Sequence, residues 1–250
     1  MYNHTINYLL HLADTTLILS QRNSEWCGHG PMLEQDIALT NISLDILGQS
    51  RNFYQYAAAL INQLPTTVNA ITEDDLAYLR KERDFKNLLL VEQPNGHWGQ
   101  TILRQFIFSQ YQFLLFTQLQ KNADEQLVAI TTKALKEITY HVRWSSEWVI
   151  RLGDGTEDSK QKMEAAIDAL WMYTGEMFEP VNYEPDSIDL AQIKKDWLQQ
   201  INTVFKTATL AVPQQVFTQT GGKTGVHTEY LGYILTDLQY LQRTYPGAQW

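Results

Sequence analysis

The chain is predicted to be all-α, a helical bundle with additional C-terminal helices, and three observations predict it. Apolar residues recur at helical spacing through nearly all of its 250 residues. No stretch shows sustained two-residue alternation bounded by turns, so little or no strand is expected. Some periodic segments also run well past the length of an ordinary globular helix.

The elements follow in order. Ile6, Leu9, Leu10, Ala13 and Leu17 form the first stripe, which the Gly- and Pro-containing segment from Ser24 to Pro31 interrupts. A segment from Met32 to Asn62 follows, which as a helix would span about 46 Å at a rise of about 1.5 Å per residue. One of its faces carries Ile42, Ile46, Phe53, Ala57 and Leu60; another carries Leu33, Ile37, Leu44, Leu47, Tyr54, Ala58 and Ile61. Pro65 ends it. Thr72, with Asp75 three residues on, makes a weak capping box for a short helix. Gln93-Pro-Asn-Gly-His97 reads as a turn, and an aromatic-rich helix runs from Trp98 to Gln120. The next helix spans Ala123 to Leu152 and closes at Gly153-Asp-Gly155. Shorter helices are expected near 159–176, 188–209 and 225–243, with Thr220-Gly-Gly-Lys-Thr-Gly225 as a loop. Four long and three shorter helices, without a low-complexity linker, predict one domain over 1–250.

Composition limits the function. A hydrophobic share of 44% and an aromatic share of 12% indicate a substantial core. The net charge of −9 argues against binding nucleic acid through its phosphates, and it gives no reason to expect an anionic membrane surface as partner. No apolar run approaches the roughly 18 residues of a membrane span, and the first residues lack the basic region of a signal peptide. Cys27 is the single cysteine, so no internal disulfide can form. The expected location is the cytoplasm.

Helical bundles of this size carry the carboxylate-bridged di-iron sites of ferritin-like proteins. There two helices each supply a Glu, and two others each supply a Glu with a His three residues later. Three residues is about one turn, so both side chains face the metals. The residues three positions before His4, His11, His29, His97, His141 and His227 are Met1, Tyr8, Trp26, Pro94, Ile138 and Thr224. None is acidic, so the usual metal site cannot form in this chain.

Other polar constellations remain. Asn41, Asp45, Gln49 and Asn52 lie along one line of the long second helix. They form either a solvated or partner-facing stripe, or a buried row inside the bundle in which Asp45 needs a donor such as His141 or Arg143. Glu137 and His141, four residues apart, form either an intrahelical pair or part of a ligand set. The candidate buried cluster is therefore Asn41, Asp45, Glu137 and His141. Glu25 and His29 share this spacing, but Gly and Pro nearby make them a loop feature. Gly222-Lys-Thr224 has the ending of a phosphate-binding loop, but Phe217 stands where its first glycine is required and no strand precedes it, which excludes an NTPase. Lys223 is expected on a solvated loop, the alternative being that at the entrance to a helix it meets an anion such as a partner carboxylate or a phosphate. Cys27 has no Cys-x-x-Cys partner.

Six segments together resemble the structural, non-catalytic (C-type) subunits of the bacterial phenylacetyl-CoA 1,2-epoxidase complex. They are Ser20 to His29, Asp36 to Asn52, Asn87 to Gly96, Lys136 to Arg143, Thr220 to Gly232 and Gln239 to Arg243. The resemblance covers nearly the whole chain and implies a ferritin-like fold paired with a homologous catalytic subunit. That partner would hold the di-iron centre and bind the CoA thioester. Small bridging subunits and a reductase with FAD and an iron–sulfur cluster, drawing on NADPH, would complete a complex that epoxidises the aromatic ring with O₂. The family's catalytic helix carries an Asp-Glu-Ala-Gly-His type motif. Here the similar stretch is Asp45-Ile-Leu-Gly-Gln49, so Ile46 and Gln49 stand where Glu and His would ligate iron. In Glu137-Ile-Thr-Tyr-His141 the His is kept, but Ile138 takes the place of the ligand Glu.

The expectation is thus a catalytically silent member of an oxygenase complex, with no catalytic residue, metal or cofactor of its own. It would stabilise and orient its catalytic partner. The alternatives are a di-metal oxidase in its own right, using Asp45, Glu137 and His141, and a ligand-binding helical module unrelated to oxygenation.

Overall fold

A computed structural model describes residues 3–214 and 217–248. Its α-helices are α1 (His4–Ser24), α2 (Leu33–Asn62), α3 (Glu73–Tyr78), α4 (Leu89–Glu92) and α5 (Trp98–Leu119), followed by α6 (Glu125–Gly153), α7 (Glu157–Leu170), α8 (Leu190–Thr207) and α9 (Glu229–Thr244). Short 3-10 turns occupy the gaps, and the described residues contain no strand. The predicted all-α class is what is found. In the bundle α1 lies along α2, α5 lies along α6, and α2 meets α6. Helices α7 and α8 pack on the outside of α5, and α9 covers α3 and α4.

Local chemistry sets most boundaries. Asp124 caps α6 by accepting from Leu127 N–H at 3.0 Å, and Tyr56 of α2 donates to the same carboxylate at 2.7 Å. The expected capping box at α3 is complete: Asp75 N–H donates to Thr72 Oγ1 at 3.2 Å and Thr72 N–H to Asp75 Oδ2 at 2.8 Å. Two ends differ from expectation. The helix expected to reach 176 stops at Leu170 and continues as 3-10 turns, which place the Glu176 carboxylate where it accepts from Leu89 N–H (2.7 Å) and Gly221 N–H (2.9 Å). Helix α9 begins at Glu229 rather than 225, because Gly221 and Gly225 take positive φ angles of 136° and 84°.

The first helix is more deeply placed than its stripe suggested. Residues 8–20 of α1 are all buried, since α2, α5 and the 85–92 segment enclose it. Its polar groups are met accordingly. Asp14, fully buried, accepts from Tyr54 Oη at 2.5 Å, from Lys86 N–H at 2.8 Å and from the Arg80 guanidinium. Arg80 in turn stacks over Phe85 with 4.2 Å to the ring centroid. His11 donates through Nδ1 to the Lys86 carbonyl at 2.7 Å, and burial pushes its pKa down to about 3, so it is neutral at ordinary pH.

Lys223 corrects an expectation. It is not on a solvated loop but only 2% exposed, with Nζ 2.8 Å from Glu184 Oε1 and 2.8 Å from the Glu179 carbonyl. The two positive-φ glycines turn this loop inward, where Tyr183 Oη donates to the Lys223 carbonyl at 2.6 Å.

A buried ion pair fastens α9 to α4. His227 Nδ1 lies 2.6 Å from Glu92 Oε1, and Thr228 donates to Glu92 Oε2 through its N–H (2.9 Å) and its hydroxyl (2.6 Å). Burial opposes charge on His227, but the hydrogen bond and attraction to Glu92 outweigh it and raise its pKa above the usual value. Because the folded-state value is raised, the pair's stabilisation is complete below about pH 6.5 and is lost as pH rises through the folded-state value. The melting temperature is expected to fall between pH 6 and pH 9. In His227→Gln that decline should flatten, with stability at pH 6 reduced by about 3–5 kcal/mol. Thermal melts of both proteins across this range check it.

Candidate functional site

The sequence pointed to the middle of α2 and α6, and these helices adjoin there. On α2, Ile42, Ile46, Gln49 and Phe53 face the core at helical spacing. On α6, Ile130, Ala134, Ile138 and His141 do the same. Between them runs a row of polar side chains. His141 Nε2 lies 3.0 Å from Asp45 Oδ2. Gln49 Nε2 donates to Glu137 Oε2 at 2.9 Å, and Gln112 Nε2 of α5 donates to Gln49 Oε1 at 2.9 Å. Three helices are thereby joined by side-chain bonds alone.

The two readings of the row each hold for part of it. Asn41 is exposed and takes no part in a buried cluster, so its inclusion there is corrected: it lies a turn before Asp45 on the outer side of α2. Asn52 is half-buried, whereas Gln49, Gln112 and His141 are buried. Asp45 keeps 39% of its side chain exposed, and Glu137 is half-buried. Of the two donors considered for Asp45, His141 is the one that reaches it. Arg143 instead lies over the Tyr140 ring, 5.9 Å from its centroid. Glu137 and His141 each bond across to α2, which accounts for their spacing without an intrahelical pair.

This donor set does not suit a pair of iron ions. Bridged iron needs several carboxylates on one centre, whereas Ile46 and Ile138, fully buried beside the row, present only hydrocarbon to the bundle interior. Gln49 is a neutral amide engaged on both sides. Among the described residues, no three His, Cys, Asp or Glu side chains gather as they would around a metal ion. His141 Nδ1 and Gln112 Oε1 are buried without a partner, so the row retains two unused positions facing the interior.

Outside the row, α2 shows an unexpected surface. The second apolar face predicted for α2 is core only in its C-terminal part, where Tyr54, Ala58 and Ile61 are buried. Its N-terminal part points outward: Leu33 is 71% exposed and Leu44 60%, with Ile37 and Leu47 also exposed. Tyr140 of α6 is also exposed, and the half-buried Trp144 one turn on meets Trp98 edge to face at 6.3 Å.

A family model described as "Phenylacetic acid catabolic protein" matches residues 2–250. The chain belongs to that family. Its helical architecture is the ferritin-like one of the family. The chain is also similar to the C component of the 1,2-phenylacetyl-CoA epoxidase of Escherichia coli (strain K12), at 47% identity over 254 residues, covering 99% of this chain and 100% of the relative. No helix among the described residues is long and apolar enough to cross a membrane.

Two buried polar residues of α5 were not foreseen. Gln112 sits within an aromatic-rich helix, and nothing in its own segment marks it as the partner of Gln49. Arg104, also on α5, is 1% exposed and bonds to neutral groups, donating to the Gln93 carbonyl at 2.6 Å and to Asn95 Oδ1 at 2.5 Å. Glu25 and His29 are loop features as expected: Glu25 accepts from Arg22 at 2.9 Å and Asn95 at 2.8 Å, and His29 is exposed. Cys27 is exposed and free.

The row makes a specific demand on Gln49. Gln49→Glu would place a second carboxylate at hydrogen-bond distance from Glu137, and like charges there disfavour joint ionisation. The variant should lose about 1–3 kcal/mol at pH 8 and recover part of it near pH 5, as one carboxyl takes a proton. Chemical denaturation at the two pH values measures this.

Proposed function

We propose that the chain is a non-catalytic subunit of a multicomponent oxygenase that epoxidises phenylacetyl-CoA, and that it stabilises and orients a catalytic subunit of the same family. One observation supports this: no Glu-x-x-His occurs in the chain, Ile46 and Ile138 are fully buried beside the polar row, and Gln49, Gln112, Glu137, Asp45 and His141 bond to one another there. In this reading the iron belongs to the catalytic partner. FAD, an iron–sulfur cluster and NADPH belong to a reductase, small bridging subunits complete the assembly, and all of it works in the cytoplasm. The similarity to the C component of an epoxidase supports the assignment to such a complex.

The exposed apolar face of α2 supports a role through contact. Scattered surface leucines need no explanation, but a run at helical spacing on one helix marks an interaction surface. Leu33, Ile37, Leu44 and Leu47 form it.

Two measurements test the proposal. Purified alone and without a metal-binding tag, the protein should carry no stoichiometric iron or manganese, and two equivalents per chain by elemental analysis would overturn it. Leu44→Glu should weaken co-purification with the catalytic subunit at least tenfold while the far-UV spectrum and melting temperature stay unchanged. Retained binding would remove this face from the contact.

A further inference from the structure

We infer that a helix of the catalytic partner crosses α2 at Gly48, where the two backbones come into direct contact. The inference rests on the proposed contact with that partner and adds where, and how closely, it is made. Glycine is among the least favoured residues inside a helix, because it loses the most backbone freedom on ordering and brings no side chain to pack. An isolated glycine within a long helix therefore calls for a packing reason. The chain has thirteen glycines. Among the described residues, every one except Gly48 either takes a positive φ or stands where an added Cβ would meet another part of the chain within 4 Å. In α5, for example, a Cβ on Gly99 would stand 3.0 Å from Met163 Sδ, and at the end of α6 one on Gly153 would press on the Ala208 carbonyl.

Gly48 has neither reason. It lies inside α2, is exposed, and a Cβ there would meet no described atom within 4 Å. Leu33, Ile37, Leu44 and Gly48 follow at spacings of four, seven and four, which sets them on one face of the helix, and exposed Leu47 flanks that face. The glycine thus belongs to the exposed apolar run. A turn further on, the same face is met by the chain itself, since Arg51 and Gln55 reach Glu73 of α3 at 3.3 and 2.8 Å. The open stretch therefore ends at Gly48. Packed helices lie about 8–10 Å apart, the distance being set by the side chains at the contact. A missing Cβ permits the short end of that range, and Leu44 and Leu47 then pack along the sides of the crossing element. A partner of the same all-α family offers helices as its rigid surface, so the backbone that comes close at Gly48 is a helix.

Substitution at Gly48 should move the fold and the contact in opposite directions. In the free chain, Gly48→Ala should raise the melting temperature by about 2 °C, since alanine suits the helix and meets nothing there. The same variant should bind the purified catalytic subunit at least tenfold more weakly, and Gly48→Leu more weakly still, with far-UV spectra unchanged. A lower melting temperature for free Gly48→Ala would show that the glycine serves this chain's own packing and would overturn the inference. Unchanged binding by both variants would overturn it as well; if Leu44→Glu then still weakens binding, the contact with the catalytic partner stands and only its closest point is lost. Should sedimentation show the unmodified chain self-associating, with Gly48→Leu abolishing that and leaving the catalytic subunit bound as before, the occupant is a second copy and the inference falls. Failure of the unmodified chain to bind the catalytic subunit at all would overturn the contact itself, and the inference with it.

Discussion

A carboxylate inside a helical bundle has to be met by donors, and the way each is met organises this molecule. Asp14 is enclosed by Tyr54, Arg80 and the Lys86 amide, Glu92 by His227, Thr228 and Asn87, and Glu176 by the amides of Leu89 and Gly221. Each of these three joins segments distant in sequence, and together they hold the long connections and α9 onto the bundle. Breaking one leaves a buried charge without compensation, which costs far more than a surface ion pair contributes. Asp45 and Glu137 stand apart from this pattern. They are met on their inner side only and remain partly open to the outside. The difference separates groups that build the fold from groups left available to something beyond it.

The same constraint bears on the centre of the bundle. At the centre of the bundle this chain places isoleucines and neutral amides, Ile46, Ile138, Gln49 and Gln112. Gln49 then bridges Gln112 and Glu137, accepting from one and donating to the other, which an acid there could not do without a proton or an ion. The row consequently fixes the register of α2, α5 and α6 through hydrogen bonds in which Gln49 and Gln112 carry no charge. A rigid face of this kind is a suitable support for a subunit whose own chemistry requires close placement.

Much of this was legible in the sequence because it is local. The spans of α2, α5 and α6, the Thr72–Asp75 capping box and the absence of Glu-x-x-His depend on neighbours a turn away. Inclusion of Asn41 in a buried cluster failed because a line of polar residues on one helix does not reveal how far the adjoining helix extends. The burial of Lys223 was hidden for a related reason: its partner Glu184 and the Glu179 carbonyl are some forty residues away, and only the positive-φ glycines bring the loop to them. Gln112 depends on a contact between helices that no spacing encodes. The two apolar faces of α2 looked alike, since periodicity records that a face is covered and not whether the cover belongs to the same chain. That ambiguity is itself informative once Leu33, Ile37 and Leu44 are seen facing outward.

The proposed contact should show as protection of the chain's own backbone. Hydrogen–deuterium exchange of the chain, alone and in complex with the catalytic subunit, measures this most directly. Slowed exchange is expected in 33–47 of α2 and 137–144 of α6, with α7 and α8 unchanged. Protection confined to other helices, or none anywhere, would contradict the account.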